Sequence, residues 1–375
     1  MKYIEKLLNG AEVKWMPLGE VLRRTKGTKI TAGQMKAINK NDAPVKIFAG
    51  GKTIAFVDFE DIPEKDINRE PSVIVKSRGI IEFEYYDKPF SHKNEMWSYY
   101  SENKNISIKY VYYFLKQQEP YFQKVGSKMQ MPQIAIPDTE KFLIPIPPLA
   151  VQEEIVRILD KFTTLEAELE AELDCRKRQY EYYRNQLLSL DVLIREQGLD
   201  KVEYKALSEV AEIRRGKRLV KSELSTSGNY AVYQNSMIPL GYYSKSNVSE
   251  GTTFVISAGS AGEIGYSPNR FWAADDVYYF IFTDGVCSKY VYYFLLIKQQ
   301  SIKRQVRRAS VPRLSKSAFE KLKIPIPPLA EQQRIVSILD KFEALTTSIS
   351  EGLPKEIELR RKQYEYYRNQ LLSFA

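Results

Sequence analysis

The feature that most constrains this chain is that it contains itself twice. Ile144-Pro-Ile-Pro-Pro-Leu-Ala150 returns unchanged as Ile324-Pro-Ile-Pro-Pro-Leu-Ala330, an offset of 180 residues. Each copy is preceded by one aromatic segment, Lys109-Tyr-Val-Tyr-Tyr-Phe-Leu115 and Lys289-Tyr-Val-Tyr-Tyr-Phe-Leu295, and followed by Ile-Val-x-Ile-Leu-Asp-Lys-Phe ending at Phe162 and Phe342. A third block, Gln179-Tyr-Glu-Tyr-Tyr-Arg-Asn-Gln-Leu-Leu-Ser189, recurs from Gln363 to Ser373 at an offset of 184, so the second copy carries four extra residues between the shared blocks. A repeat of this length implies two versions of one structural unit.

After each Pro-Pro pair the pattern turns helical, because proline is tolerated just before a helix but not inside one. In the first copy Ile155, Ile158, Phe162, Leu165, Leu169, Leu173, Tyr180, Tyr183, Leu187 and Leu190 step mainly by three and four, with Arg176 filling one slot. The second copy shows Ile335, Ile338, Phe342, Leu345, Ile349, Leu353, Ile357, Tyr364, Tyr367, Leu371 and Phe374. Both stripes are those of coiled-coil helices. The first is predicted from about Leu149 to Arg195, roughly 70 Å at 1.5 Å per residue. Such a rod has to project between domains, with the second helix returning antiparallel to give a dumbbell of pseudo-two-fold symmetry. Gly352 and Pro354 predict a kink or short break in the second helix, with Pro354 at the first position of the helix that resumes. The four extra residues amount to one turn and keep the stripe on its face. The tandem Glu166-Ala-Glu-Leu169 and Glu170-Ala-Glu-Leu173 predict an unbroken first helix.

The segments before each helix hold short β-rich runs, Thr53–Val57, Ser72–Val75, Thr252–Ile256 and Val277–Phe282, separated by Gly, Asn and Pro turns. Their openings correspond, Val13-Lys-Trp-Met-Pro-Leu-Gly-Glu-Val21 against Val202-Glu-Tyr-Lys-Ala-Leu-Ser-Glu-Val210, while their middles share little beyond pattern. The expected fold is α+β: globular domains at 1–146 and 198–326, a central helix at 147–197, and a C-terminal helix at 327–375.

Composition narrows the chemistry. Among 375 residues, 56 basic against 47 acidic side chains give a net charge of +9, which favours a polyanionic partner without requiring one. Its placement says more: from Lys303 to Lys323 there are eight Lys or Arg against the single Glu320. His92 is the only histidine, so a metal cluster or histidine-based triad lacks its parts. No phosphate loop or adenine-methyltransferase motif occurs, and Ala49-Gly-Gly51 reads as a turn. Glu82/Glu84 and Asp275/Asp276 read as exposed carboxylates. Cys175 and Cys287 have neither metal nor disulfide spacing. No apolar run of about 18 residues is present, and the charged start Met1-Lys-Tyr-Ile-Glu-Lys points to the cytoplasm rather than a membrane. The chain reads as a binder, not a catalyst.

The Ile-Pro-Ile-Pro-Pro-Leu-Ala-x-Gln opening, the Ile-Leu-Asp-Lys-Phe block and the Gln-Tyr-Glu-Tyr-Tyr-Arg close resemble those of the specificity subunit of type I restriction-modification enzymes, over nearly the whole chain. The resemblance implies two target-recognition domains joined by two antiparallel coiled-coil helices, and no active site. It implies docking of two adenine-methyltransferase subunits, which bring S-adenosylmethionine, and, in the larger complex, of two restriction subunits that use ATP and Mg. Each domain would read half of a split site on double-stranded DNA, with the helices setting the gap. A coiled-coil scaffold joining two protein-binding domains is the alternative.

For base contacts, loops carrying Gln, Asn and Arg are the candidates, because Arg pairs bidentately with guanine and Asn or Gln with adenine. In the first domain these are Lys128, Gln130 and Gln133, beside basic Arg23, Arg24, Lys76 and Arg78. In the second they are Gln234, Asn235, Arg304, Arg307, Arg308 and Arg313, with Arg214, Arg215, Lys217 and Arg218 as phosphate contacts. Of these the Arg307 to Arg313 segment stands out. Tyr180, Tyr183, Tyr364 and Tyr367 belong to the helix seam rather than to base stacking, and Tyr112, Tyr113, Tyr292 and Tyr293 to a short domain helix. Tyr182 and Tyr366 lie just off the stripe, either covering its flank or facing a methyltransferase subunit.

Overall fold

The computed structural model describes the chain except residues 1, 2, 52, 128–130, 199, 200, 309, 349 and 375, and the side chain of residue 221. The stripe residue Ile349 and the candidate contacts Lys128 and Gln130 lie outside the described residues. The chain divides into two compact units, Met1–Glu168 with Ile357–Ala375, and Leu169–Glu356.

Each unit holds a sheet of four strands and a sheet of three, in one common order. In the first unit Arg23–Arg24, Trp97–Tyr100, Ser72–Lys76 and Glu82–Tyr86 lie side by side, all antiparallel. The second unit repeats this with Ala211–Arg215, Val277–Phe282, Thr252–Ile256 and Ile264–Ser267. The three-stranded sheets likewise match, Ile54–Val57 beside Val45–Phe48 beside Phe90–His92 against Gly241–Tyr243 beside Tyr230–Tyr233 beside Trp272–Ala273, with the last pair parallel in both.

The repeated sequence blocks occupy the junction of domain and helix. Ile-Pro-Ile forms a strand that pairs with the domain's opening strand, Trp15 opposite Pro145 and Tyr204 opposite Pro325. The Gln two residues after each repeated Ala is fully buried. Gln152 accepts from Ser107 N–H at 2.9 Å and donates to the carbonyls of Pro147 at 2.8 Å and Asn105 at 3.1 Å. Gln332 does the same with Cys287, Pro327 and Gly285. The aromatic segment forms a helix whose two inward tyrosines tie it down. Tyr110 and Tyr290 donate to the carbonyls of Pro145 and Pro325, and Tyr113 and Tyr293 donate to Asp160 and Asp340 at 2.5 Å. Those carboxylates also hold Lys109 and Lys289. Burial, then the adjoining carboxylate, pushes both the Tyr113 and the Tyr293 hydroxyl well above the usual tyrosine range.

The central helix runs Leu149–Leu187, about 58 Å at 1.5 Å per residue. The expected continuation to Arg195 is corrected: the helix stops at Leu187, and Leu190–Gln197 forms a separate short helix. The cause lies in packing. Leu188 and Leu193 are buried in the second unit's core, as Leu372 and Ile4 are in the first. Residues 190–197 thus play the part that the opening helix Tyr3–Leu8 plays in the first unit. The C-terminal helix also stops at the repeat-equivalent Leu371.

In the second copy Leu329–Thr347 and Gly352–Leu371 are separate helices. The first of these helices ends before Gly352, so the four extra residues do not add a turn to one continuous helix as expected. Gly352 has φ +79°, and a Cβ there would lie 2.5 Å from the Ala344 carbonyl, so the restart demands glycine. Pro354 falls in the first turn of the new helix, at its third residue rather than its first.

Within each unit a piece of the central helix packs against a helix of the second copy, antiparallel in the first unit. In the first unit Phe162 stacks on Tyr367 at 5.3 Å while Glu166 meets Arg361, so one number rises as the other falls. In the second unit Tyr183 stacks on Phe342 at 5.5 Å, and Tyr180 lies 6.3 Å from the same ring. Ile155, Tyr180, Ile335 and Leu371 are buried; Ile158, Phe162, Leu165, Leu169, Leu173, Leu187, Ile338, Phe342, Leu345, Tyr364 and Tyr367 are half-buried, and Tyr183 is exposed on its outer edge. Leu159 and Leu339, outside the stripe, are fully buried in the domain cores.

Candidate nucleic-acid interface

The candidate residues separate into those already neutralised by the fold and those left open to solvent. Arg23 pairs with Glu102, Arg24 with Glu140 and Arg214 with Glu212, all near 3 Å and largely exposed. Arg215 donates to the Asp275 carbonyl. Lys76 sits between Glu84 at 2.8 Å and Glu82 at 3.5 Å. Burial disfavours its charge, but the two carboxylates more than offset that and raise its pKa. These two acidic residues are thereby occupied in an ion-pair cluster. Lys303, first of the basic cluster, is held by Glu263 at 2.6 Å.

Arg304, Arg307, Arg308 and Arg313, by contrast, are exposed and have no acidic partner among the described residues; the same holds for Lys217 and Arg218. Lys217 and Arg218 follow Gly216, whose Cβ would lie 2.1 Å from the Ala274 carbonyl, a close approach that sets where this strand ends.

Backbone hydrogen bonds bring several of these side chains together in the second unit. Arg307 and Arg313 exchange N–H to carbonyl bonds at 2.9 and 3.2 Å. Leu314 N–H donates to the Ser257 carbonyl at 2.8 Å and Gly259 N–H to the Pro312 carbonyl at 3.2 Å. Ser260 N–H donates to the carbonyl of Asn235 at 2.9 Å. Asn235, the turn 257–260, Arg307 and residues 312–313 therefore form one surface, with Gln234 half-buried beside it.

The first unit repeats two of these bonds and differs in a third. Gly79 N–H donates to Pro132 at 2.9 Å, Ile134 N–H to Ser77 at 3.0 Å, and Gln133 N–H to Gly126 at 3.1 Å. Arg78 lies opposite Gln133 and is exposed. Sequence reasoning missed the anchors Ser77, Gly79, Ser257 and Gly259, although Ser-x-Gly recurs at the repeat's own offset of 180 and both glycines need positive φ, +75° and +73°.

His92 belongs to the core of the first unit and not to this surface. Its Nδ1 donates to the Lys93 carbonyl at 3.1 Å, so Nε2 is left to accept from the Thr25 hydroxyl at 3.0 Å. Burial pushes its pKa down to about 4. Among the described residues no group of three His, Cys, Asp or Glu could hold a metal ion, and no helix is long and apolar enough to cross a membrane.

Comparison with known proteins agrees with the duplicated architecture. The family model described as the type I restriction modification DNA specificity domain matches twice, at residues 11–174 and 200–359. The specificity subunit of the Escherichia coli type I restriction enzyme EcoR124I/EcoR124II is 35% identical over 408 aligned positions, covering 100% of this chain and 97% of that protein. The E. coli EcoprrI specificity subunit is 26% identical, covering 94% and 92%. Among solved structures, the S subunit of a type I restriction-modification system from M. genitalium superposes with a TM-score of 0.68 at 19% identity, covering 98% of each chain. A chain from a study of type I R-M complex assembly superposes with a TM-score of 0.56 at 15% identity, covering 96% and 98%.

Proposed function

Because this chain belongs to the type I restriction-modification DNA specificity family, we propose that its two units each read one half of a split, asymmetric DNA site. The chain is a non-catalytic specificity subunit, which binds DNA and assembles with the other subunits of the system. One observation carries the finer reading: the two units share sheet order, junction and anchored turn, yet differ in the side chains those turns present. A common frame with unlike surfaces suits two unlike half-sites.

In this reading the segments around Arg78 and Gln133, and around Asn235, Arg307 and Arg313, face base edges, and Lys217, Arg218, Arg304 and Arg308 face phosphates. Two methyltransferase subunits dock on the helices and bring S-adenosylmethionine, and two restriction subunits bring ATP and Mg. This chain needs no cofactor of its own, and the complex works in the cytoplasm. The central helix acts as a spacer. One turn is about 6 Å against about 3.4 Å per base pair, so gaining or losing one Glu-Ala-Glu-Leu unit shifts the unread gap by one or two base pairs.

The test is sequencing of adenine methylation in DNA exposed to the partner methyltransferase with and without this chain. A split motif that appears only with the chain supports the reading. Methylation at the same sites in both cases contradicts it.

A further inference from the structure

We infer that two repeat-equivalent tripeptides, Met131-Pro132-Gln133 and Val311-Pro312-Arg313, are the specificity-determining tips of the two units. The inference rests on the reading that the chain specifies DNA sequence, and it narrows that reading from a surface to one position in each half-site.

Three observations converge. First, the offset of 180 that relates the sequence blocks also relates the hydrogen bonds holding these tripeptides. Gly79 to Pro132 becomes Gly259 to Pro312, and Ser77 to Ile134 becomes Ser257 to Leu314. Ile134 and Leu314 are buried, so each tripeptide is anchored immediately beyond its third residue. Second, the anchored backbone leaves Met131, Val311 and Arg313 exposed and Gln133 half-buried. Arg313 is exposed with no acidic partner among the described residues, and Met131 and Val311 are exposed at 65% and 47%. Each is a single exposed apolar side chain, ordinary by itself, and the two occupy equivalent points of the repeat. Third, the residue facing the tip changes with it. Across one bridge the first unit sets Arg78 against Gln133, and the second sets Ala258 against Arg313. The guanidinium has changed sides while the frame stays fixed.

The chemistry fits the edges of base pairs in the major groove. Arg pairs bidentately with guanine, Gln with adenine, and an apolar side chain meets the thymine methyl. A side chain on a fixed backbone discriminates better than one on a free loop, since its alternatives are fewer. The tip of the second unit is therefore a guanine reader with an apolar neighbour. The tip of the first unit is an adenine reader, with Arg78 beside it.

The test uses the complete complex with its methyltransferase subunits and S-adenosylmethionine, and reads the methylation motif by sequencing. Arg313→Ala should relax one base position in one half-site, lowering discrimination there by roughly tenfold to a hundredfold, while the other half-site stays intact. Gln133→Ala should relax one position in the opposite half-site. The double change Val311→Met with Arg313→Gln should alter the base preferred at the position that Arg313→Ala relaxes. A motif unchanged at every position in all three variants, with methylation merely weaker, overturns the assignment. A wild-type complex that yields no split motif overturns the underlying reading instead, so the two failures are told apart.

Discussion

The two units solve one structural problem twice and one recognition problem in two ways. At the junction of domain and helix they agree group by group: buried Gln152 and Gln332, Tyr110 and Tyr290, and the Tyr113–Asp160 and Tyr293–Asp340 pairs. Away from it they diverge. The first unit fills its interior with the His92–Thr25–Ser98 cluster, whereas the second has Thr253 bonded to Ser288. The difference teaches where identity is required. A buried amide with three partners admits no substitute of another shape, while an exposed tip needs only a fixed backbone beneath it.

The strongest way to break the shared part is to remove the buried amide. Gln152→Ala strands one N–H and two carbonyls at the junction and should cost about 3 kcal/mol. Gln332→Ala should cost the same in the second unit, as denaturant melts would show; a loss in one unit only would mean the junctions are not equivalent.

A comparable effect should separate the units by pH. His92 has its pKa lowered from 6.5 to about 4 by burial. Below pH 6.5 the unfolded chain binds a proton that the folded chain refuses, so stability is present at neutral pH and is lost as pH falls through that window. The shift corresponds to about 3 kcal/mol, complete near pH 4. Melts of the intact chain between pH 7 and 4 should show the first unit weakening ahead of the second. His92→Gln should remove that pH dependence, and a variant that keeps it would place the proton elsewhere.

Smaller effects sharpen the comparison. Tyr293→Phe should cost about 2 kcal/mol, because it removes the single hydroxyl proton lying between the Asp340 and Glu343 carboxylates and leaves the two to face each other. Tyr113→Phe should cost somewhat less, since its hydroxyl meets Asp160 as the one carboxylate. Equal losses would show that the extra carboxylate is irrelevant. Arg361→Ala, which removes an exposed pairing with Glu166, should change stability by less than about 1 kcal/mol.

Most of the frame was legible because identical blocks at a fixed offset leave one reading, and because apolar spacing marks helix faces. The end of the central helix was not. Leu190 continues the stripe numerically, yet it serves the core of the second unit, and only packing distinguishes a seam from a core. The four-residue insertion was visible as a count, but the sequence alone does not separate an added turn from a break until Gly352 is seen against Ala344. Charge located the basic segment correctly in number but not in availability: Lys76, Arg214 and Lys303 are spoken for by carboxylates distant or close in sequence, while Arg307 and Arg313 are not.

The central claim is that each unit reads its own half-site on a shared frame. Its most direct test exchanges the material between the paired strands: residues 18–142 replace 207–322, leaving the Lys14–Pro17 with Leu143–Ile146 ladder and its Glu203–Ala206 with Lys323–Ile326 counterpart in place. Methylation sequencing of the resulting complex should return a motif made of two copies of the first unit's half-site. Persistence of the second unit's half-site in that chimera would contradict the account.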